Sequence, residues 1–223
     1  KKEVTEIKGE SSWHKEMRQA KTKADEMVQE MFLKSLLPYH AILSLDVEED
    51  TPTTSCFPLD DHAYTLILDP IDGTLRYIRQ EDGWSICAAI MKECEFLCAL
   101  VYFPKRYCMY VCEKGKGAFL YENPRSIYDK KVLHFPLKSP IKNIYYNDRL
   151  SKELLSFLRL YDYHMEDDHT IGCPDAIIEC IEGKACAYIA DTRNLRDILL
   201  GVILSFMEDG KSYDYFGNKI VWN

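Results

Sequence analysis

No segment of this 223-residue sequence approaches the ~20 uninterrupted apolar residues that a membrane-spanning helix needs. The opening KKEVTEIKGE holds no apolar leader core, and because the sequence does not start with Met, native residues ahead of it are left open. The expected location is the cytoplasm. Basic tracts are missing too: 28 Lys and Arg are scattered among 36 Asp and Glu for a net charge of −8, so nucleic acid is not an expected partner. An anionic substrate would be repelled by the same surface unless bound cations inverted the local field. None of the nine cysteines forms a CxxC pair, and with the odd count this points to reduced thiols in a reducing compartment. Cys94, Cys98, Cys108 and Cys112 do form CxxxC twice. That stretch reads as strands, however, where residues four apart are separated by ~13 Å and cannot share a zinc ion. They are expected as small buried hydrophobes. The six His residues show no ligand spacing and are assigned to structure or surface.

What is present is an ordinary globular composition, 47% hydrophobic, enough to build the core of one domain or of two closely joined ones. From Asp25 to Leu37 the positions Met27, Val28, Met31, Leu36 and Leu37 lie close to helical spacing, and Pro38 ends the run. HAILSLDVEED and YTLILDPIDGT then repeat one device, an apolar strand that breaks into carboxylates. Residues 84–91, 95–103 and 107–112 read as an antiparallel meander, followed by the turn-and-strand segment KGKGAF at 114–119. After a polar, Pro-bearing stretch at 123–140 the pattern becomes strand 142–146, helix 148–160, strand 168–171, helix 174–182, strand 185–190, helix 195–208 and strand 212–216. Such alternation predicts a second α/β unit with largely parallel pairing. The expected division is an N-terminal α+β unit at 1–133 and a C-terminal α/β unit at 134–223 that completes the site.

The segment 66–78, LILDPIDGTLRYI, delivers two aspartates to a tight turn, although a buried charge without a partner costs several kcal/mol. Pro70 fixes the chain direction after Asp69, Ile71 can turn its carbonyl inward, and Asp72 returns a second carboxylate to the same side. Three oxygens converging in this way suit a hard divalent cation. Gly73 and Thr74 would open a helix whose first free N–H groups can receive a phosphate. The ordinary alternative is an Asx-Pro turn with a surface acid and a helix cap.

The surroundings shift that balance, because Glu48-Glu49 ends the preceding strand and Asp197 starts the apolar helix LRDILLGVIL. Taken in order, Thr22-Lys23-Ala24-Asp25, Glu48-Glu49, DPIDGT at 69–74, WSICAAI, LCALVYFP and EKGKGAF within 84–119, EGKACAYI at 182–189 and Arg196-Asp197 resemble the inositol monophosphatase family. That family sits within the wider lithium-sensitive, magnesium-dependent phosphatases. The resemblance covers residues 20–217, is most specific at DPIDGT and loosest toward the C-terminus. It implies a layered αβαβα sandwich, as in inositol monophosphatase and fructose-1,6-bisphosphatase. It places Glu48, Asp69, Asp72, Asp197 and the Ile71 carbonyl on the metal positions, with two or three Mg²⁺. Asp25 and Thr74 fall on the pair that positions and activates the attacking water, and the N–H groups of Gly73 and Thr74 on the phosphate cradle. A homodimer acting on a small phosphorylated substrate, and inhibition by Li⁺, are implied as well. Asp25 as a solvated helix acid, Glu49 as a helper acid and Asp197 as a helix acid favoured by the macrodipole are the competing readings.

Departures cluster on the leaving-group side. Arg196 stands where the family has Trp, Leu199-Leu200-Gly201 replaces a small-residue turn, and the family's hydroxyl-binding acid falls on Ala190, with Asp191 adjacent as a candidate substrate contact or a plain surface turn. The expected activity is Mg²⁺-dependent hydrolysis of an inositol or sugar monophosphate. The alternatives are a 3′(2′),5′-bisphosphate nucleotidase or a non-catalytic regulatory protein that kept the metal site.

Overall fold

The computed structural model describes residues 23–58, 63–93, 95–126, 128–134, 141–147, 150–191, 194–207, 210–214 and 217–220. Thr22 and Cys94, both named above, lie outside the described residues.

Helix α1 (Lys23–Leu36) carries Asp25 and Glu26 in its first turn and Lys34 in its last, the charge order that suits the helix dipole. Its inward face is not the apolar stripe expected from the sequence. Met27 and Met31 are 57% and 70% exposed, while Asp25, Gln29 and Leu33, spaced at i, i+4 and i+8, are buried. Two polar side chains occupy that face, and Gln29 is satisfied there by the backbone of Glu49. The α-helix ends at Leu36, next to Pro38 as expected, and the chain continues as a 3₁₀ stretch, Leu37–Ile42, with Pro38 in its first turn, where a missing N–H is tolerated.

The chain then builds β1 (Leu43–Val47), β2 (Tyr64–Asp72), the short helix α2 (Thr74–Ile78), β3 (Ser85–Lys92), β4 (Glu95–Phe103), β5 (Cys108–Glu113), β6 (Gly117–Tyr121) and β7 (Lys130–Val132). These strands form one seven-stranded sheet in sequence order. The β1–β2 pair is parallel and the rest antiparallel, so the expected meander is present. Cys98 lies on β4 and Cys108 and Cys112 on β5, and the eight cysteines among the described residues are free thiols.

The second part comprises β8 (Asn143–Tyr146), α3 (Lys152–Leu160), β9 (His164–Asp167), α4 (Cys173–Ile181), β10 (Ala187–Ile189) and α5 (Leu199–Ser205). Its three strands pair in parallel in the order β10-β8-β9. The strand expected at 168–171 is instead β9, four residues earlier, followed by a 3₁₀ turn at Asp168–Thr170. Asp167 causes the break, since its carboxylate accepts from the His169 N–H (2.9 Å) and competes with strand pairing. The helix expected at 195–208 splits into a 3₁₀ turn, Arg196–Ile198, and α5. The strand expected at 212–216 is reduced to a bridge between Tyr213 and Lys219, and residues 215–216 are not described.

Alternation along the strands sends side chains to two cores. Leu66, Leu68 and Ala88 pack with Leu33 of α1 on one face of the large sheet. Ile67, Cys87, Ala89 and Val101 pack with Ile177 of α4 and Leu199, Val202 and Ile203 of α5 on the other. On its far side α4 meets the small sheet through Ala176, Cys180 and Tyr145, and α3 lies against β9. The order is helix, sheet, helices, sheet, helix: the layered αβαβα sandwich anticipated from the sequence.

Candidate active site

Aspartates three apart on a regular strand point to opposite faces. Here Asp69 pairs with Cys87 and Asp72 with Ser85, so three steps along β2 match two along β3, and the register shifts between them. One extra residue in the bulge therefore returns Asp72 to the face of Asp69. Pro70 sits where a missing ladder donor is tolerated. The Ile71 N–H bonds Asp69 Oδ1 (3.1 Å) and fixes that carboxylate.

Gly73 follows with φ of +82°, and a Cβ there would meet Trp84 Cα at 3.4 Å, so conformation and space both call for glycine. It caps α2, whose first internal bonds run from the Arg76 and Tyr77 N–H groups to the Gly73 carbonyl (2.9 and 3.1 Å). The amides of Gly73 and Thr74 precede that ladder. The Thr74 hydroxyl donates to the Ile71 carbonyl (3.0 Å) and lies 3.4 Å from Asp25 Oδ1. Asp25 and Thr74, 49 residues apart in sequence, are thus adjacent, with Asp25 only 1% exposed.

Glu48 and Glu49 follow β1, which pairs in parallel with β2 and ends beside Asp69. Gln29, a fully buried side chain missed in the sequence, accepts from the Glu49 N–H (2.9 Å) and donates to the Glu49 carbonyl. Its place one turn after Asp25 on the same helix face was the available signal. Glu49 is the buried member of the pair; Glu48 reaches the surface, yet its carboxyl shares a hydrogen bond with Asp69. From the far end of the chain, Asn194 Nδ2 donates to Asp197 Oδ1 (2.9 Å), and Arg196 Nη1 pairs with Asp46 Oδ1 (2.9 Å).

The electrostatics of the group are those of uncompensated negative charge. Burial, then the charges of Asp72, Glu48 and Asp197, push Asp69 well above the usual carboxylate range. Burial, then Asp197 and Glu48, push Asp72 up to about 7. Burial and then Glu49 raise Glu48, while Arg196 opposes them. Carboxylates from three chain segments therefore crowd one place at a cost that a cation removes, and an all-oxygen donor set suits Mg²⁺ or Ca²⁺. The Cys87 and Cys173 thiols beside Asp72 are raised by burial and then by its charge, so they stay neutral and are not nucleophiles.

Among the described residues, the trio of ligand-type side chains with donor atoms all within 4.8 Å is Asp167, Asp168 and His169, which the sequence reading did not single out. Asp167 is held by His169 (Nδ1–Oδ1 3.1 Å), and Asp168, which adds to the charge on Asp72, accepts from the Tyr188 hydroxyl (2.7 Å). Asp191 is exposed, and its backbone N–H and carbonyl are engaged by the Asn147 side chain (3.1 and 3.3 Å). It is not among the charges that most perturb Asp69 or Asp72.

The sequence model of the inositol monophosphatase family matches residues 1–211. Inositol-1-monophosphatase of Rhizobium meliloti is 30% identical over 115 residues, 52% of this chain and 40% of that protein. The Nus factor SuhB of Xylella fastidiosa is 24% identical over 163 residues, 70% of this chain and 57% of its own length. The chain thus covers only about half the length of these curated relatives. Among solved structures, an IMPase/NADP phosphatase complexed with Mg²⁺ and phosphate superposes with a TM-score of 0.66 at 22% identity, covering 90% of this chain and 72% of the other.

Proposed function

The chain belongs to the inositol monophosphatase family, and from that premise we propose that it hydrolyses a small phosphorylated alcohol, an inositol or sugar monophosphate, with Mg²⁺ held by Glu48, Asp69, Asp72, Asp197 and the Ile71 carbonyl. The observation that carries this reading is the β2 bulge, which sets Asp69 and Asp72 on one face beside the Thr74–Asp25 contact. A structural acid cluster needs no such hydroxyl–carboxylate pair at its edge.

When bound, the cations would neutralise phosphate charge and lower the pKa of water at the site. The remaining work belongs to the chain. Thr74 Oγ1 donates to the Ile71 carbonyl and lies 3.4 Å from Asp25 Oδ1; turned toward Asp25 instead, the hydroxyl would leave its oxygen lone pairs free to accept from an attacking water and orient it in line with the ester bond. The Gly73 and Thr74 amides donate to the phosphoryl oxygens. Leu75 is buried and Trp84 lies against Gly73, which holds the turn after the bulge, so little reorganisation would accompany reaction.

Nucleotide-type phosphomonoesters are a second substrate class within this reading. Ala190 offers no carboxylate to a polyol hydroxyl, and Asp191 is held to Asn147 through its backbone. Phosphate release from inositol 1-phosphate, a sugar phosphate and 3′-phosphoadenosine 5′-phosphate, with and without Mg²⁺, tests the proposal. Mg²⁺-dependent turnover of at least one, inhibited by millimolar Li⁺, is expected. Absence of Mg²⁺-dependent release from all three overturns it.

A further inference from the structure

We propose that the Arg196–Asp46 ion pair is a clasp that docks the turn carrying Asp197 against the strand end carrying Glu48, which makes Arg196 a positioning residue for the cation-binding acids. The inference rests on the phosphatase reading above.

The two partners are 150 residues apart in sequence, and each stands next to an acid of the site. Asp46 is on β1 two residues before Glu48, and Arg196 immediately precedes Asp197. The turn that holds Asp197 is a three-residue 3₁₀ segment whose own residues are half-buried; it lies against β2 and leads into Leu199 in the core. Local bonds shape it from within: the Arg196 N–H donates to Asn194 Oδ1 (3.2 Å), Asn194 Nδ2 donates to Asp197 Oδ1, and the Cys173 thiol reaches the Asp197 carbonyl (3.5 Å). These bonds and the packing on β2 hold the turn, but none of the three hydrogen bonds ties it to β1, the strand that leads to Glu48. The guanidinium supplies that tie, with its side chain 20% exposed against 42% for Asp46.

A pair this exposed adds ~0–1 kcal/mol to stability, so folding energy does not account for an arginine here. Its electrostatics alone also work against the site, because a positive charge beside the acids repels the incoming cation. The two roles therefore predict opposite signs. Through charge alone, removing Arg196 tightens Mg²⁺ binding. As a positioning residue, its removal separates Asp197 from Glu48 and weakens Mg²⁺ binding, by roughly the tenfold typical of residues that orient metal ligands.

Calorimetric titration of Mg²⁺ into substrate-free protein decides between them, for the unmodified chain, Arg196→Ala, Asp46→Ala and the reversed pair Asp46→Arg with Arg196→Asp. The expected result is about tenfold weaker Mg²⁺ binding in each single variant and return to within about threefold in the reversed pair. The Mg²⁺ concentration for half-maximal phosphate release should rise in parallel, with kcat at saturating Mg²⁺ changed less than threefold. Equal or tighter Mg²⁺ binding by Arg196→Ala overturns the clasp, as does a reversed pair no better than the singles. If the unmodified chain neither binds Mg²⁺ nor releases phosphate, the phosphatase reading falls and the clasp with it. If it does both while the variants titrate unchanged, only the clasp falls.

Discussion

In the seven-stranded sheet Phe96, Val101 and Phe103 have no exposed surface, and cores lie on both faces. In the three-stranded sheet the strands are three or four residues long, and the covering helix α3 has no buried residue, with Phe157 and Leu160 52% and 82% exposed. Three of the four proposed metal-ligand carboxylates, Glu48, Asp69 and Asp72, are delivered by the large sheet, and the fourth arrives on a short turn from the other half. The difference has a physical reason. Like charges held together repel, and only an element with no freedom to relax keeps them in place. Light packing around the three-stranded sheet tolerates substitution at small cost to the fold.

The largest test of that contrast is Asp69→Asn. If the large sheet supplies the charge for cation binding, loss of one carboxylate should lower phosphate release on the order of a thousandfold, the several kcal/mol expected for a disrupted metal centre. Secondary structure by circular dichroism should be unchanged. Retention of more than about a tenth of the turnover at saturating Mg²⁺ removes Asp69 from the mechanism.

A smaller effect appears in stability once divalent ions are removed with EDTA. The folded chain binds protons at Asp69 and Asp72 more tightly than the unfolded chain, in which Asp titrates near 3.8. Their contribution to stability is therefore fully present below that pH and is lost as the pH rises through about 7 for Asp72. At ~1.4 kcal/mol per pKa unit, the sum is on the order of a few kcal/mol. Lowering the pH from 8 to 5.5 without metal should raise the melting temperature by roughly 5–10 °C. Asp72→Asn should remove much of that slope, and Mg²⁺ should flatten it. Identical pH slopes for Asp72→Asn and the unmodified chain would mean that these acids are solvated and place the strain elsewhere.

How far each half could be read in the sequence follows the same division. DPIDGT is a local device: the proline, the bulge and the left-handed glycine act within six residues, so their outcome is visible in the string. The approach of Asp25 to Thr74 was anticipated only through the family resemblance, because 49 residues separate them. The inward face of α1 differs from the expected one because hydrophobic periodicity assumes an apolar core, whereas Asp25 and Gln29 are buried against Thr74 and the Glu49 backbone. Further along, β9 was displaced by the Asx turn at Asp167, a competition between side chain and backbone that strand patterning does not register. Gln29, Asn194 and Asp46 were missed for a common reason: each acts on an element distant in sequence or orients another side chain.

The smallest expected effect is at Asp191, where the lightly packed half is most open to question. As a substrate contact, its carboxylate would make a charge-assisted hydrogen bond to a hydroxyl, and Asp191→Ala would cost about 1.5–3 kcal/mol in kcat/KM for polyol phosphates alone. In the structure the residue is exposed, and both of its backbone polar groups are held by Asn147, which ties the end of β10 to β8. Removing the side chain leaves those bonds in place. We therefore expect kcat/KM for inositol 1-phosphate, a sugar phosphate and 3′-phosphoadenosine 5′-phosphate to change by less than about twofold and in the same direction, as for a surface substitution away from the chemistry. Asn147→Ala should have the larger effect, since it releases the turn from β8. A selective loss for inositol 1-phosphate in Asp191→Ala would reverse the argument: it would show that this segment closes over the leaving group, and that a lightly packed sheet can still supply a directional contact.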